Sequence, residues 1–311
     1  MDLGDNMKNC NAIILAGGKG TRMVSKIPKC AYPFFGKPMI TYITNMCKKI
    51  SIKDICVVVG YKKEIIKNIL QDEVVYAYQE KQLGTANAVL AAKDFFKRHQ
   101  DEVTLIIAGD MPLVEKDVIK KLIQNHFKKA CDLSILTTIV QNPFGYGRIV
   151  RQNGKILKIV EEKDASDEIK KINEINTAVY CINTNLLEEV LEKVDNQNQT
   201  GEYYLTDIVK ILSADKKVEA YLTPFTFKLT GINDLYTLSL VEEAYRKDIN
   251  QKWMEKGVRL IHPNSIIIED EVEIGSNVTI DAFSIIRGKT TIEKDTYISP
   301  YSFINNNVRI K

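Results

Sequence analysis

Residues 15–22 read LAGGKGTR, a run in which glycine fills three of the four positions from 17 to 20. Without a Cβ, backbone of this kind can fold closely round an anion and aim several N–H groups at it. Lys19 and Arg22 add positive charge, and Lys29, directly after Pro28, adds a third cation. Phosphate oxygens are the chemistry that such a loop suits. Two familiar phosphate loops are excluded, because the chain contains neither G-x-G-x-x-G nor G-x-x-x-x-G-K-[ST]. That disfavours a dinucleotide fold and a Walker-type P-loop. A bare glycine pair serves equally well as a flexible turn; the three attached cations weigh against that reading.

Asp110 is the second candidate. It follows the apolar run VTLIIAG at 103–109 and precedes Met111-Pro112-Leu113. A carboxylate at the carboxyl end of a strand, beside an anion loop, can hold Mg²⁺ against phosphate oxygens. In isolation an aspartate here is more often a helix cap or a turn residue; the three cations expected on the same rim weigh against that reading. Weaker signals follow: Gln79 with Leu83-Gly84-Thr85, Gly145-Tyr146-Gly147-Arg148, Glu161, Ile175-Asn176-Thr177, GEYYLTD at 201–207, and Gly231-Ile232-Asn233. Each is unspecific by itself.

The elements that must position these residues follow from periodicity. Strands are expected at 11–16, 54–59, 74–78 and 103–108, with helices at 38–50, 62–70, 85–96 and 116–128 between and after them. That βαβα rhythm implies a mostly parallel sheet with helices on both faces. From 132 to 182 the texture changes. Runs at 148–150 and 155–160 flank Asn153-Gly154, a hairpin signal. A strand at 173–181 and helices at 186–194, 204–212 and 234–256 complete this part. In the tail, Ile268, Ile274, Ile280, Ile286, Ile292, Ile298, Ile304 and Ile310 recur every six residues. Neither a helix nor a flat strand has that period, whereas a parallel β-helix of hexapeptides does, with each isoleucine pointing inward.

Composition bounds the class. Of 311 residues, 45% are hydrophobic and 27% charged, which is globular and long enough for about two domains. A net charge of +3 is too balanced to make nucleic acid or an acidic membrane the main partner. None of the six cysteines forms a C-x-x-C pair, and the histidines (His99, His126, His262) stand far apart, so no zinc site is expected. Most cysteines lie in apolar runs, as core thiols of a reducing cytoplasm do. No charged leader with an apolar stretch opens the chain, and no apolar run approaches the ~18 residues that span a bilayer. A soluble cytoplasmic protein is expected.

LAGGKGTRM…PK, QLGTANA, GDMPL, GYGRI, IVEEKDA, EINTA, GEYYLTDI and the hexapeptide tail stand in one order along the chain. In these motifs, and over nearly its whole length from about residue 11, the chain resembles the uridyltransferase domain of the bacterial N-acetylglucosamine-1-phosphate uridyltransferases, within the sugar nucleotidyltransferase superfamily. The resemblance implies an α/β fold with a Rossmann-like, mostly parallel sheet of the nucleotide-diphospho-sugar transferase type, then a short left-handed parallel β-helix. It implies a nucleotidyltransferase domain over 1–232, a connecting helix over 233–260 and the hexapeptide β-helix over 261–311. It implies that Leu15, Ala16, Gly17 and Gly18 surround the nucleotide, with Lys19 and Arg22 facing its phosphates and Lys29 near the reacting ones. Gln79, Gly84 and Thr85 would read uracil. Gly147, Glu161 and Asn176 would hold N-acetylglucosamine, and Asp110 and Asn233 would ligate Mg²⁺.

The implied reaction joins UTP to a sugar 1-phosphate, N-acetylglucosamine 1-phosphate by preference, and releases pyrophosphate. Three departures bear on the sugar: Ala108 where some relatives carry tyrosine, Cys30-Ala31-Tyr32 where an aliphatic-histidine form is frequent, and Ala86-Asn87 where Gly-His is frequent. Eight hexads are too few for the family's acetyl-CoA site, so no acetyltransferase activity is expected. Two alternatives stay open: a related transferase for another sugar phosphate or base, and a nucleotide-sugar-binding module without turnover. Self-association through the β-helix is a further expectation, on the ground that an exposed coil end calls for a cover.

Overall fold

The structure is a computed structural model that describes residues 5–305 and 307–310. The chain forms two compact units. One comprises the described residues up to Tyr32 together with Met39–Asn233; the other comprises Pro33–Pro38 and the described residues from Asp234 onward. The connecting helix expected at 233–260 spans Leu235–Glu255 and belongs to the second unit.

A nine-stranded sheet organises the first unit. Its strands are β1 (Cys10–Ala16), β2 (Ile55–Val59), β3 (Val75–Tyr78), β4 (Val103–Ala108), β5 (Leu133–Ile139), β6 (Arg148–Gln152), β7 (Lys155–Val160), β8 (Glu174–Asn183) and β9 (Val218–Leu222). The order across the sheet is β9-β5-β8-β4-β1-β2-β3, with the β6–β7 hairpin attached to β8. The four strands β4-β1-β2-β3 are mutually parallel, while β8 runs against both β4 and β5. Strands buried on both faces must be apolar throughout, and β2 (ICVVV) is buried at every position. Alternation then sends Ile14, Val57 and Ile107 into one core and Ile13, Val58 and Ile106 into the other.

Adjacent parallel strands deliver their carboxyl ends side by side, which is what places the site. Leu15 lies opposite Ala108 in the β1–β4 register, and the Gly109 N–H donates to the Leu15 carbonyl at 2.9 Å. The glycine loop and the Asp110 turn therefore leave the sheet as neighbours. Gln79 leaves from the end of β3, where its N–H donates to the Val59 carbonyl of β2.

Several boundaries differ from the periodicity reading. The helix expected over 85–96 is two pieces, Thr85–Leu90 and Lys93–Phe96, because Ala92 leaves helical geometry (φ −88°, ψ 20°). Both pieces bury apolar side chains in one core, Val89 from the first and Phe96 from the second. The helix expected at 204–212 begins only at Asp207. The preceding backbone is engaged elsewhere: Tyr203 N–H donates to the Leu83 carbonyl and Tyr203 C=O accepts from Ala86 N–H. Strands β5 and β9 lie outside the expected set. In β8 the register slips between Asn176 and Tyr180, with Ala178 at φ +60°.

In the second unit the six-residue period builds three short parallel sheets, each with three two-residue strands. Ile268, Ile280 and Ile286 are fully buried, with Ile292 and Ile298 nearly so. Asn277, Phe283, Asp295 and Tyr301 adopt positive φ within this repeat. A column of rings stacks along it, with Phe283 and Tyr301 5.0 Å apart at 8°. Among the described residues no helix is long and apolar enough to cross a membrane.

Candidate functional site

Lys29 sits on a single 3₁₀ turn, Lys29–Ala31, against the glycine loop. Gly20 is required there twice over: its φ is +64°, and an added Cβ would lie 2.6 Å from the Lys29 Cβ. The lysine ammonium is held by two oxygens from distant parts of the chain. It pairs with the Asp110 carboxylate and donates to Asn233 Oδ1 at 2.9 Å. The Lys29 and Asp110 side chains are 17% and 10% exposed, so the pair is largely withdrawn from water. Burial by itself would lower the Lys29 pKa; the Asp110 carboxylate outweighs it and holds the ammonium above its ordinary value. Arg22 lies close enough to oppose that shift, while its side chain remains exposed. Asn233 is placed by backbone: Ile232 N–H donates to the Asp110 carbonyl at 2.9 Å, and Asn233 Nδ2 donates to the Gly231 carbonyl at 3.3 Å. This leaves the amide oxygen for the cation.

That oxygen pair is suited to a hard divalent ion. Mg²⁺ takes one or two protein carboxylates or carbonyls and completes its shell with substrate phosphates and water. Asp110 and Asn233 already converge on one cation, the lysine's own. Among the described residues no group of three His, Cys, Asp or Glu side chains gathers elsewhere to hold a metal.

The residues expected to surround a nucleotide form a second cluster. The Gly17 carbonyl accepts from Tyr61 N–H at 3.1 Å. Gly17 packs on the buried Gln79 side chain, so closely that a Cβ would stand 2.7 Å from Gln79 Oε1. Gly18 is exposed, and the Lys19 ammonium lies 5.7 Å from the Tyr61 ring centroid, apart from the Asp110 pair. Gly84 has φ +122°, and a Cβ there would meet Tyr203 backbone at 2.4 Å. The Thr85 hydroxyl accepts from Leu205 N–H at 2.9 Å. The 83–86 turn is thus laced to the 203–205 segment.

That lacing leads to the third cluster. The Thr206 hydroxyl donates to Glu161 Oε1 at 3.1 Å, and Gly147 faces the same carboxylate. Burial pushes the Glu161 pKa up, with Thr206 partly offsetting it. Asn176 N–H donates to the Gly147 carbonyl at 2.9 Å, and Asn176 Nδ2 donates to the buried Tyr180 hydroxyl at 2.7 Å. Arg148 is nearly fully buried (1% exposed); it donates to Glu162 Oε2 at 2.6 Å and to the Tyr146 carbonyl, bracing the 145–147 turn. Tyr146 links this cluster to the first, because burial and the nearby Asp110 charge both raise its pKa.

The structure therefore gathers Lys29, Asp110 and Asn233 into one group. It gathers Gly17, Gln79, Gly84 and Thr85 into a second, and Gly147, Glu161 and Asn176 into a third. Lys19 and Arg22 stay at the rim. Sequence reasoning passed over Thr206, Tyr146 and Asn87 as site residues. Thr206, Tyr146 and Asn87 lie inside the motifs GEYYLTD, GYGR and QLGTANA, but nothing local marks which residue of a motif turns toward its distant partner.

A nucleotidyl transferase family profile matches residues 11–255, and a bacterial transferase hexapeptide profile of six repeats matches residues 271–306. The chain is 41% identical over 300 residues to the bifunctional protein GlmU of Caldanaerobacter subterraneus subsp. tengcongensis, covering 96% of this chain and 65% of that protein. It is 42% identical over 301 residues to the bifunctional protein GlmU of Clostridioides difficile, again covering 96% and 65%. The chain thus spans slightly less than two thirds of the length of these relatives. A solved Bacillus anthracis chain, provisionally named a glucose-1-phosphate thymidylyltransferase, superposes with a TM-score of 0.62 at 21% identity, covering 75% of this chain and 94% of that one. At that identity the likeness concerns the fold alone.

Proposed function

The chain belongs to the nucleotidyl transferase family, and on that premise we propose that it joins UTP to N-acetylglucosamine 1-phosphate, forming UDP-N-acetylglucosamine and pyrophosphate. One observation carries the reading: a carboxylate and an amide oxygen converge on the Lys29 ammonium beside a glycine loop, at the carboxyl edge of parallel strands. Acetyl transfer is no part of this reading.

In the reaction a phosphate oxygen of the sugar 1-phosphate attacks the α-phosphorus of UTP. The new P–O bond forms as the bond to the β-phosphate oxygen breaks, and that electron pair leaves with pyrophosphate. The attacking oxygen is already anionic near neutral pH, so no side chain need remove a proton. What remains is to bring two anions together and to neutralise charge on the leaving group. Lys29 and Arg22 supply positive charge, and Lys29, on its 3₁₀ turn beside the glycine loop, is free to face phosphate oxygens once the divalent ion takes the oxygens of Asp110 and Asn233. Asp110 and Asn233 would hold a divalent cation, Mg²⁺ by preference, whose role is to offset charge on the phosphate oxygens. The backbone of Leu15, Ala16, Gly17 and Gly18 with Lys19 cradles the triphosphate. Gln79, Gly84 and Thr85 face the base, and Gly147, Glu161 and Asn176 with Thr206 hold the sugar. The hexapeptide coil serves self-association, and the cytoplasm, where such substrates are made, is the site of action.

The test is pyrophosphate release by the purified chain with UTP, N-acetylglucosamine 1-phosphate and Mg²⁺, beside a panel of other sugar 1-phosphates and triphosphates. The named pair should give the highest kcat/KM. A higher value for another sugar overturns the sugar assignment. Binding of UDP-N-acetylglucosamine in calorimetry with no turnover of any pair overturns the catalytic reading.

A further inference from the structure

Gln79 is 6% exposed, and its surroundings fix which way its amide points. Nε2 donates to the Gly84 carbonyl at 3.1 Å and to Asn87 Oδ1 at 2.9 Å. A backbone carbonyl can only accept, so the end of the amide that faces it must be the nitrogen. An amide nitrogen has two hydrogens, and both are now spent inside the protein. What remains is Oε1, which is turned to the glycine loop, 2.7 Å from where a Cβ on Gly17 would stand. Among the described residues no hydrogen bond reaches Oε1. The side chain thus offers a ligand beside that loop one acceptor and no donor.

We propose that Asn87 is a positioning residue that locks the Gln79 amide with its oxygen toward the base, so that the site takes a pyrimidine with an imide N–H and refuses cytosine. This rests on the reading of the glycine loop and residues 79–85 as the nucleotide site. Uracil and thymine present N3–H at the edge where cytosine presents a bare N3 lone pair. An oxygen facing N3–H makes a hydrogen bond; the same oxygen facing the cytosine lone pair makes a repulsion. If the amide turned over, its nitrogen would suit cytosine, and the discrimination would vanish. Turning over costs the bond to Gly84 and sets Oε1 against that carbonyl, and it keeps a bond to Asn87 only if the Asn87 amide turns as well. Gly84 alone leaves one amide hydrogen unbound; Asn87 engages the second and makes the orientation a two-point grip.

Asn87 lies on the short helix Thr85–Leu90, half-buried beside a cavity of ≈ 410 Å³ that Tyr78, Gln79, Leu83 and Leu90 also line. Truncation there therefore costs little packing, and alanine is the best helix former. The experiment measures kcat/KM for UTP and for CTP by pyrophosphate release in the full chain and two variants. Wild type should prefer UTP strongly. Asn87→Ala should narrow the UTP/CTP ratio by about tenfold or more, through a loss on UTP and a gain on CTP. Asn87→Asp, whose carboxylate can only accept from Nε2, should keep the wild-type ratio even where its added charge weakens both nucleotides. A residue that merely supports the helix would lower both rates alike and leave the ratio unmoved. A wild type that prefers UTP beside an Asn87→Ala variant with the same preference overturns the lock and leaves the proposed reaction standing. An Asn87→Asp variant as permissive as Asn87→Ala also overturns it. A wild type without preference between the two nucleotides overturns the nucleotide reading and the lock together.

Discussion

Lys29 stands between Asp110 and Asn233, as counter-ion to the first and hydrogen-bond donor to the second, and this arrangement separates the roles of the residues. Removing Asp110 takes away the carboxylate that would hold the divalent ion and leaves the largely buried Lys29 ammonium without its ion pair, so Asp110→Ala should lower turnover about a thousandfold and also lower the melting temperature, with circular dichroism still showing a folded chain at room temperature. Near-normal pyrophosphate release would end the metal assignment. Lys29→Ala should cut kcat about a hundredfold while KM for the sugar phosphate changes far less, because its charge acts where charge develops. A change confined to KM contradicts that role. Glu161 gives a pH prediction. Burial raises its folded-state pKa above the usual 4.5. The folded state therefore resists ionisation more than the unfolded chain does, and stability from this group falls as pH rises from about 4.5 through the raised folded value. Glu161→Gln removes that slope and keeps an acceptor for Thr206. Its melting temperature relative to wild type should climb with pH over that window and then level off. A difference independent of pH between about 4.5 and 8 would contradict the buried, raised carboxyl.

Elements show where local pattern stops deciding. The run at 204–206 has helical character and winds into the helix through i→i+3 bonds, with Thr206 in the helical region, yet Leu205 N–H is taken by the Thr85 hydroxyl and the adjoining Tyr203 bonds Leu83 and Ala86. These bonds join the 83–86 turn, proposed to face the base, to the 203–206 segment, proposed to border the sugar, and no window around either reveals them. The hexad tail behaves in the opposite way. Its period is visible in the sequence because every coil repeats the same inward isoleucine, and the buried Ile268, Ile280 and Ile286 occupy those positions. Ile286→Ala should destabilise the second unit by about 2–5 kcal/mol, since a fully buried isoleucine leaves a cavity among neighbours that cannot collapse. Hydrogen exchange of amides in 267–304 is the measurement, and unchanged protection there would count against the packed coil.

At the scale of the whole molecule, the division into two units sets separate tasks. The sheet unit holds all three site clusters, while the coil unit carries none of the expected site residues. The coil displays Phe283, Tyr301 and Phe303 at 50%, 73% and 62% exposed, an unusual amount of aromatic surface for residues so near each other. Self-association through the coil should give a mass in light scattering that is a whole multiple of the 35.3 kDa chain. A monodisperse species at the chain mass contradicts it.

By itself the sequence determined what is local or periodic. The glycine loop with its cations, the apolar runs that become β1, β2 and β4, the hairpin at Asn153-Gly154 and the six-residue tail all follow from short-range sterics and side-chain alternation, and these are present in any short window. Asp110 was legible as a strand-end carboxylate for the same reason. Only the tertiary structure decided that Lys29 meets oxygens 81 and 204 positions away. It alone decided that β8 reverses beside β4, that Thr206 reaches Glu161, and that the Gln79 amide donates to Gly84 and Asn87. Those outcomes depend on which strand ends become neighbours and on which buried polar groups find partners, and that choice is made by the packing of the whole sheet.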